Sequence, residues 1–359
     1  MVEVTTDDKA GGEEAGMEEV TIKDIARLCG VGVSTVSRAI NNHPDINPET
    51  RDHILNIIKE YNYIPNNSAR NLKRTESKTI AILVKAIDNP FFSSMIRVFE
   101  KEIKYERFDF FLQHIDNNQD EIEVAIGLAK EKKLMGIVFL GGFSEHSEEA
   151  LRQLKVPFVV STVELDNSVE DCLYSFVSVD DKRESRRLAD YLIGLGHRRI
   201  ALLSAQKDDE SIGRLRMEGY KSALSQHGIP IDEDLIVYTP KDCEVYSRRS
   251  GYVMMQQLME REKDFTAVIA ISDMVAVGAC KAVFENGRRV PEDYSIAGFD
   301  GLPETFYYEP SITTIKQPLE EIAESSIKNL FYMIRHEEKA PNKKFEGELL
   351  KRESTRKIG

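Results

Sequence analysis

Apolar residues recur with helical spacing over residues 21–61, the first part of the chain with a clear pattern. Four of them fall at i, i+3, i+4 and i+7 and predict one side of a helix: Ile22, Ile25, Ala26 and Cys29. Thr21 precedes this run as its N-cap, with Asp24 three residues later in a pattern close to the capping box. Gly30 and Gly32 end the helix, because glycine tolerates the left-handed conformation of a C-cap.

A second and a third helix follow this glycine turn. The predicted inner side of the second helix consists of Val33, Val36 and Ile40. Its outer side is slim and polar and consists of Ser34, Thr35, Ser37, Arg38 and Asn41. The third helix begins with Asn47 as its N-cap and Pro48 at its first position. The predicted buried residues of this helix are Ile54, Ile57, Ile58 and Tyr61.

Two helices joined by a glycine turn, with a third completing the core, predict a helix-turn-helix. A slim polar second helix fits the major groove of DNA, where hydroxyl and amide groups meet base edges or phosphates and arginine binds guanine. At this point an ordinary three-helix bundle with solvated polar faces is the alternative.

From Lys78 onward, continuous apolar runs alternate with amphipathic helical patterns. The predicted strands are residues 79–84, 108–113, 136–140, 157–162, 199–204, 267–272 and 295–300. The predicted helices include residues 91–105, 121–132, 182–195, 214–227 and 274–286. This alternation predicts parallel sheets covered on both faces, and there are enough units for two doubly wound subdomains. Ligands of such sheets bind at the carboxyl ends of the strands, so two facing sheets form a binding cleft.

The composition is that of a soluble globular protein, since 41% of the 359 residues are hydrophobic and 30% are charged. The apolar runs are too short to span a bilayer, and residues 1–19 lack a secretory signal. We therefore expect a cytoplasmic protein with no membrane partner. The four cysteines are scattered without a CxxC pair, and the seven histidines show no metal-ligand spacing. No metal, disulfide framework or cofactor is expected.

The net charge of −13 is unevenly distributed. Residues 1–19 carry seven acidic residues and one lysine, a net charge of −6, and are predicted to form an acidic disordered tail. Residues 20–75 carry eight basic and five acidic residues, a net charge of +3, which leaves −10 for the rest of the chain. A small basic module on an acidic body favours DNA binding by that module. Because Met17 directly precedes the first helix, residues 1–16 are either a tail or not part of the native product.

The segment YIPNNSARNLKR, residues 63–74, follows the three helices. Asn66 can cap a helix of only two turns, which is marginal in water and is expected to order when DNA or a second chain holds it. Leu72 lies among Arg70, Lys73 and Arg74. In the minor groove, an apolar wedge can open a base step while basic groups hold phosphates. Taken alone, the segment is more simply interpreted as a solvated linker in which the leucine occurs by chance.

Catalytic motifs are absent from the sequence. The runs 30-GVGVST-35 and 194-GLGHRR-199 lack the third glycine of a dinucleotide-binding loop and follow helices instead of strands. There is no phosphate loop, no G-x-S-x-G and no HExxH. His197 is interpreted as a structural histidine. We expect that the protein is not an enzyme.

Residues suited to a small ligand stand at the predicted strand ends or just after them: Asp88, Phe91, Phe92, Arg216, Asp273 and Asp300. Carboxylates and arginine form paired hydrogen bonds with sugar hydroxyls or an anionic group, and phenylalanine supplies a flat apolar wall. Each aspartate alone is more simply a helix N-cap. Their recurrence at strand ends favours a binding site.

The runs VTIKDIARLCGVGVSTVSRAIN and YIPNNSARNLKR resemble the DNA-binding headpiece and hinge of the lactose-repressor/galactose-repressor (LacI/GalR) family. The resemblance implies that Val33 and Ser34 read bases and that Leu72 intercalates. Gly32 departs from the family, which commonly has a capping serine there. The expected DNA-binding residues are Thr21, Lys23, Val33, Ser34, Thr35, Ser37, Arg38, Asn41, Asn66, Ala69, Arg70 and Leu72.

The runs RLRMEGYKSALSQHGI, SDMVAVGA, RRVPEDYSIAGFD and EPSITTIKQP are similar to the effector-binding core of that family, which is related to periplasmic sugar-binding proteins. Two departures stand out. Gly301 occupies a position where Asp or Asn is usual, and Thr162 stands where many relatives have an acidic contact, so either Glu164 replaces that contact or the ligand differs. The expected effector-binding residues are Asp88, Phe91, Phe92, Thr162, Arg216, Asp273 and Asp300.

By this resemblance, residues 20–64 form the helix-turn-helix domain, residues 65–77 the hinge, and residues 78–359 the effector-binding and dimerisation core. Within the core, one subdomain comprises 78–177 and 309–336, and the other comprises 178–308 and 337–359, so the chain crosses between them three times. A homodimer is expected, because two headpieces read a two-fold operator.

The expected fold is thus an all-α helix-turn-helix headpiece and an α/β periplasmic-binding-protein-like core of two doubly wound parallel-sheet subdomains. The leading hypothesis is a transcriptional repressor whose affinity for double-stranded operator DNA is controlled by a small-molecule effector, a sugar or a sugar phosphate. Whether the effector is an inducer or a corepressor stays open. The alternative is a cytoplasmic small-molecule-binding protein of the sugar-binding class without operator function.

Overall fold

The chain forms two compact units, Met1–Thr75 and Glu76–Gly359. We call the first the headpiece and the second the core. The computed structural model describes residues 21–40, 43–61, 63, 78–87, 89–116, 119–165, 169, 172–261 and 263–358. The predicted tail, the hinge and Asp88 lie outside these residues.

Three helices pack together in the headpiece. Their bounds are Ile22–Leu28 (α1), Val33–Ile40 (α2) and Pro48–Glu60 (α3). The capping box is confirmed, because the Asp24 N–H donates to the Thr21 hydroxyl at 3.4 Å and the Thr21 N–H donates to the Asp24 carboxylate at 3.1 Å. Gly30 has a φ of 64°, in the left-handed region expected of a residue that ends a helix.

A small apolar cluster holds these helices, and its buried members are Ile25, Ala26, Val36, Ala39 and Ile54. Two predictions of burial are wrong. Val33 is 42% exposed and Tyr61 is 44% exposed, because each lies at a helix end that turns away from this cluster. The inner side of α2 therefore consists of Val36 and Ala39, with Ile40 half-buried.

The core contains two six-stranded sheets, which confirms the predicted fold class. The first has the strand order β11-β5-β4-β3-β1-β2, and the second has the order β12-β10-β9-β8-β6-β7. The strands are Thr79–Val84 (β1), Asp109–His114 (β2), Leu134–Leu140 (β3), Phe158–Ser161 (β4), Tyr174–Val179 (β5), Ile200–Ser204 (β6), Ile236–Tyr238 (β7), Ala267–Ala270 (β8), Ser295–Asp300 (β9), Thr313–Lys316 (β10), Lys343–Phe345 (β11) and Glu348–Leu350 (β12). All pairs are parallel except β10 with β12.

Helices cover both sheets. Their bounds are Pro90–Tyr105 (α4), Glu121–Glu131 (α5), Glu148–Gln153 (α6), Asp181–Gly194 (α7), Ile212–Gln226 (α8), Arg248–Glu260 (α9), Asp273–Glu285 (α10) and Leu319–His336 (α11). Among the described helices, none is long and apolar enough to cross a membrane. His197 is fully buried, and its ring nitrogens contact the Thr266 hydroxyl at 2.8 Å and the Arg356 carbonyl at 3.1 Å, so it serves the packing of the C-terminal segment.

The sheet pairing differs from the predicted division of the core at two places. Strand β10 pairs with β9 in the second sheet, although 309–336 was assigned to the first subdomain. Strand β11 pairs with β5 in the first sheet, although 337–359 was assigned to the second. The chain passes between the sheets after β5, after β10 and after β11, at residues 180, 317–318 and 346–347. The strands that determine this division, β10 and β11, are four and three residues long. They are too short to show the alternation of apolar and polar residues that identifies a strand in the sequence.

Helices α9 and α10 approach each other closely through two glycines. A Cβ atom added to Gly278 would overlap the carbonyl of Arg248, and one added to Gly251 would overlap the carbonyl of Val275. Both obstacles are backbone atoms of the facing helix, which cannot move aside as a side chain can. The close packing of these helices therefore requires glycine at both positions.

We predict that Gly278→Ala lowers the free energy of unfolding by about 1–3 kcal/mol or more, because the added methyl group forces α9 and α10 apart. The matched control is Gly127→Ala in α5, where nothing lies within 4 Å of the added Cβ. This control should raise stability by about 0.5–1 kcal/mol, since alanine favours the helix. Thermal or urea unfolding of both variants measures the difference. Equal stability of the two would contradict the close-packing interpretation.

Candidate DNA-binding face and effector cavity

Helix α2 presents a polar face to solvent. Val33, Ser34 and Arg38 are exposed along it, while Thr35 and Ser37 are half-buried. Val36 and Ala39, on the opposite side, anchor α2 to the apolar cluster of the headpiece. The exposed face thus carries an apolar group, hydroxyls and a guanidinium within two turns, the set that meets base edges and phosphates in a major groove.

Thr21 and Lys23 lie at the start of α1 and are both exposed. The Thr21 hydroxyl and N–H are already engaged with Asp24 in the capping box, which leaves the Thr21 methyl group for an external contact. The other predicted DNA-binding positions lie outside the described residues: Asn41, Asn66, Ala69, Arg70 and Leu72.

A cavity of about 420 Å³ lies between the two sheets of the core, at the carboxyl ends of their strands. The first sheet and its helices contribute Lys85, Phe91, Phe92, Gly142, Phe143 and Thr162. The second sheet and its helices contribute Gln206, Asp209, Arg216, Tyr246 and Asp300, and the crossing segment contributes Gln317. The structure therefore brings together Phe91, Phe92, Thr162, Arg216 and Asp300 out of the seven residues expected from sequence.

Arg216 is buried in the floor of the cavity and is bound on three sides. Its Nε donates to Asp181 Oδ1 at 2.8 Å, and its Nη1 donates to the carbonyl of Ile271 at 2.5 Å. The guanidinium lies 3.7 Å from the centroid of the Phe299 ring, and Nη1 lies 3.7 Å from Asp300 Oδ1. Burial raises the pKa of Asp181 even though Arg216 opposes this.

One carboxylate oxygen of Asp300 has a hydrogen-bond partner and the other has none among the described residues. Its Oδ1 accepts a hydrogen bond from Gln317 Nε2 at 2.9 Å. Its Oδ2 is buried and has no hydrogen-bond partner among the described residues, and the same is true of Thr162 Oγ1 on the opposite wall. Burial raises the pKa of Asp300 to about 7, against the opposing effects of Arg216 and Gln317. Two buried acceptors without partners on facing walls indicate a site for a hydroxyl-bearing ligand.

Asp273 does not line the cavity, contrary to the expectation from sequence. It is fully buried at the first position of α10, where its Oδ2 accepts from the N–H of Leu302 at 2.7 Å and its Oδ1 packs against Gly298. Burial and the charge of Asp300 raise its pKa well above the usual value. Because its carboxyl group holds the turn after β9, it supports Asp300 from behind.

Glu164 does not replace the missing acidic contact either. It forms an ion pair with Lys344 at 2.6 Å and does not line the cavity. The wall at this point is therefore formed by Thr162, a residue with a neutral hydroxyl group. The geometry excludes Glu164 as a replacement for the acidic contact.

Several cavity residues were missed from sequence, chiefly those of the loop before α8 and of the loop before α9. Asp209 accepts hydrogen bonds from the Ser211 hydroxyl at 2.8 Å and from the Arg214 N–H at 3.0 Å. The Ser211 hydroxyl lies 3.2 Å from the phenol oxygen of Tyr246. Burial raises the pKa of Asp209, although Ser211 opposes this. The one signal in the sequence was 208-DDES-211, acidic and serine residues directly before a helix.

Backbone strain is concentrated around the cavity. Four non-glycine residues with positive φ line it: Ala86 at 50°, Thr162 at 75°, Tyr246 at 63° and Asp300 at 125°. For a β-branched residue such as Thr162 this conformation is costly. Strain of this kind persists where the surrounding structure enforces it and is typical of ligand sites.

Comparison with known proteins identifies the family. A model described as bacterial regulatory proteins, lacI family, matches residues 21–66, and a periplasmic binding protein-like domain matches residues 189–355. The chain is 41% identical to the HTH-type transcriptional regulator MalR of Clostridium butyricum, over 93% of this chain and 99% of that protein. The chain belongs to the LacI family of bacterial regulatory proteins.

Solved structures agree with this assignment. The complex of the transcriptional regulator CelR with cellobiose has a TM-score of 0.67 at 29% identity, over 93% of this chain and 99% of that one. A LacI-family regulator of Enterococcus faecium with bound ribose has a TM-score of 0.66 at 30% identity, over 78% of this chain and 100% of that one. The lac repressor dimer bound to operator shares the fold, with a TM-score of 0.71 at 23% identity, over 94% and 100% of the two chains.

As a LacI-family member, the protein is a DNA-binding transcriptional regulator with an effector-binding core and is not an enzyme. Within the described ranges, no group of three or more histidine, cysteine, aspartate or glutamate residues could hold a metal ion.

We predict that Arg38→Ala weakens operator binding by about 1–3 kcal/mol, because we expect the exposed guanidinium of α2 to bind a guanine or a phosphate. Titration of operator DNA at several salt concentrations measures the loss and shows whether the salt slope falls with it. The control is Arg289→Ala, the same change of charge at an exposed position in the core. If Arg38→Ala and Arg289→Ala bind the operator with equal affinity, Arg38 does not belong to the DNA-binding face.

Proposed function

We propose that this regulator binds a neutral sugar in the cavity of the core and that the sugar controls its affinity for operator DNA. The observation that carries the proposal is the pair of buried acceptors, Asp300 Oδ2 and Thr162 Oγ1, which lack partners on facing walls of the cavity. Each is suited to accept a hydrogen bond from a ligand hydroxyl. Leaving such atoms unpaired costs about 1–3 kcal/mol each, a cost that a polyol ligand removes.

Aromatic side chains flank these acceptors. Phe92 and Phe143 lie on the first-sheet side of the cavity and Tyr246 on the second-sheet side. A pyranose or furanose ring presents C–H groups on its faces and hydroxyls at its edge. Flat apolar walls with a few placed polar groups match this distribution of surfaces.

The charges of the cavity favour a neutral sugar over a sugar phosphate. The cations Lys85 and Arg216 are each bound by a buried carboxylate of the protein, with Lys85 Nζ 2.8 Å from Glu121 Oε2 and Arg216 Nε 2.8 Å from Asp181 Oδ1. The other charged lining residues are acidic: Asp208, Asp209, Glu210 and Asp300. A phosphate would meet net negative charge, and every cation among the described lining residues already forms an ion pair. The relatives that carry cellobiose or ribose are consistent with a neutral ligand.

Residue roles follow from this proposal. Phe91, Phe92, Thr162, Arg216 and Asp300 contact or orient the effector, while Asp273 supports the turn that holds Asp300. The headpiece residues named above contact operator DNA, and Leu72 is the intercalating residue of the hinge. We place the protein in the bacterial cytoplasm, associated with the nucleoid when bound to DNA.

The protein is further proposed to act as a homodimer. A surface groove of about 580 Å³ on the second-sheet side of the core is lined by Tyr252, Phe284 and Tyr308, among others. Next to it, Phe306 is 60% exposed and Tyr307 is 84% exposed. Basic and acidic residues lie together around this groove, including Arg248, Arg249, Lys281, Glu285 and Glu309. An apolar patch with both signs of charge at its edge suits a self-complementary two-fold contact.

We predict that Asp300→Asn lowers the affinity for the effector by about 1.5–3 kcal/mol, the cost of a lost hydrogen bond to a charged group. Titration calorimetry of the full-length protein would compare neutral mono- and disaccharides, including cellobiose and ribose, with glucose 6-phosphate. The control, Asp264→Asn, removes an exposed carboxylate outside the cavity. Tighter binding of the phosphate than of every neutral sugar would refute a neutral effector, and no binding of any sugar would refute the sugar class.

We predict that Tyr307→Asp shifts the protein from dimer to monomer, because a buried, unpaired carboxylate is costly in an apolar interface. Analytical ultracentrifugation over a range of concentrations measures the shift. Tyr105→Asp is the matched control, since Tyr105 is 82% exposed and lies in α4, outside the groove. A dimer equally stable in both variants would exclude the aromatic patch as the interface.

A further inference from the structure

A segment that follows β3, residues 141–146, belongs to the first subdomain and contacts the second subdomain at the mouth of the cavity. We call it the strap. It begins with Gly141 and Gly142, whose φ values of 71° and 133° turn the chain out of the sheet. A Cβ atom at Gly142 would overlap the Glu121 carboxylate, so the turn lies directly on that side chain.

The Glu121 carboxylate holds the strap against the first subdomain through hydrogen bonds and an ion pair. Its Oε1 accepts from the Phe143 N–H at 2.7 Å and lies 3.1 Å from His146 Nε2. Its Oε2 lies 2.8 Å from Lys85 Nζ, whose ammonium lies 3.3 Å from the centroid of the Phe143 ring. Burial alone would raise the pKa of Glu121, but the hydrogen bond from His146 and the charge of Lys85 hold it below its usual value.

Ser144 docks the other side of the strap onto the second subdomain. It is fully buried, and both its N–H and its hydroxyl donate to the carbonyl of Glu210, at 3.2 Å and 3.0 Å. Arg214 Nη2 in turn donates to the Ser144 hydroxyl at 3.2 Å and lies 3.7 Å from Glu145. These contacts join residues more than sixty positions apart in the chain and lie away from the segments where the chain crosses between the sheets.

Apolar packing strengthens this contact across the cleft. Ile212, at the start of α8, packs against the apolar cluster of the first subdomain, on the far side of the cleft from its own sheet. Helix α8 also carries Arg216 in the floor of the cavity, one turn after Ile212. The first turn of α8 and the strap thus form one rim of the cavity, to which each subdomain contributes half.

We propose that the strap is a latch that favours the closed cleft and that Ser144 is a positioning residue of the effector response. Ser144 does not line the cavity, so it acts on the ligand only through the closure of the two subdomains. Removing its hydroxyl deletes two hydrogen bonds across the cleft while leaving every cavity-lining side chain in place. The proposal does not depend on the identity of the effector.

Hydrogen exchange of the full-length protein without added ligand tests the latch. In Ser144→Ala, amides of residues 144–145 and 210–214 should exchange about 5- to 30-fold faster, the factor expected for the loss of one or two net hydrogen bonds. The Phe143 amide should keep its protection, because Glu121 still holds it. In Glu121→Ala, which removes the acceptor of the Phe143 N–H, protection should be lost at Phe143 as well. Small-angle scattering should show a larger radius of gyration for both variants.

The matched control is Ser147→Ala, three residues further along the chain. The Ser147 hydroxyl accepts from the Ala150 N–H at 3.4 Å and caps α6 within the first subdomain. This variant should lose thermal stability without changing exchange at residues 210–214 or the radius of gyration. If Ser144→Ala behaves like Ser147→Ala in both measurements, Ser144 has only a local structural role and the latch is refuted. Failure to find a sugar ligand would leave these measurements unaffected.

Discussion

The buried guanidinium of Arg216 is the interaction on which the cavity depends. An ionised group that is withdrawn from water is stable only when the protein supplies charge and hydrogen bonds in return. Asp181, the carbonyl of Ile271 and the ring of Phe299 supply them here, from the start of α7, the end of β8 and the end of β9. One side chain on α8 thereby fixes the carboxyl edge of the second sheet. That edge forms half of the cavity.

The floor of the cavity is also tied to the segments that connect the subdomains. Asp181, which binds Arg216, follows directly after the first crossing between the sheets, and Gln317, which donates to Asp300, lies in the second. The third crossing contains Gly347, whose carbonyl accepts from Arg187 Nη1 at 2.8 Å. In the proposed closure of the cleft, the two subdomains would rotate about these three short segments, because they are the covalent links between the two sheets. The polar contacts of the floor therefore extend directly to the first and second crossings between the sheets.

Sequence reasoning found the elements whose pattern is strong and local. Strands β1 and β9 are continuous apolar runs, and their bounds were predicted to the residue, while Thr21, Asn47 and Pro48 marked helix starts correctly. It missed β7, β10, β11 and β12, because three or four residues cannot show a period. It also missed β5, in which Ser175 and Ser178 interrupt the apolar run although all six residues are buried. In the site, Arg216 and Asp300 were identified but Asp273 was misplaced. A strand-end aspartate is equally good as a ligand contact or as a support for the next turn, and only the tertiary packing decides between them.

An effector bound between Thr162 and Asp300 would act on the segments that cross between the two sheets through electrostatics as well as through shape. Asp300 shares its buried surroundings with Asp273, and burial together with the charge of Asp300 raises the pKa of Asp273. A ligand hydroxyl that donates to Asp300 Oδ2 favours the ionised form of Asp300. Ionised Asp300 binds Gln317 and attracts Arg216 more strongly, which tightens the contact between the cavity floor and the second crossing. In the proposed mode of binding, one carboxylate would therefore couple the ligand to the second crossing between the sheets.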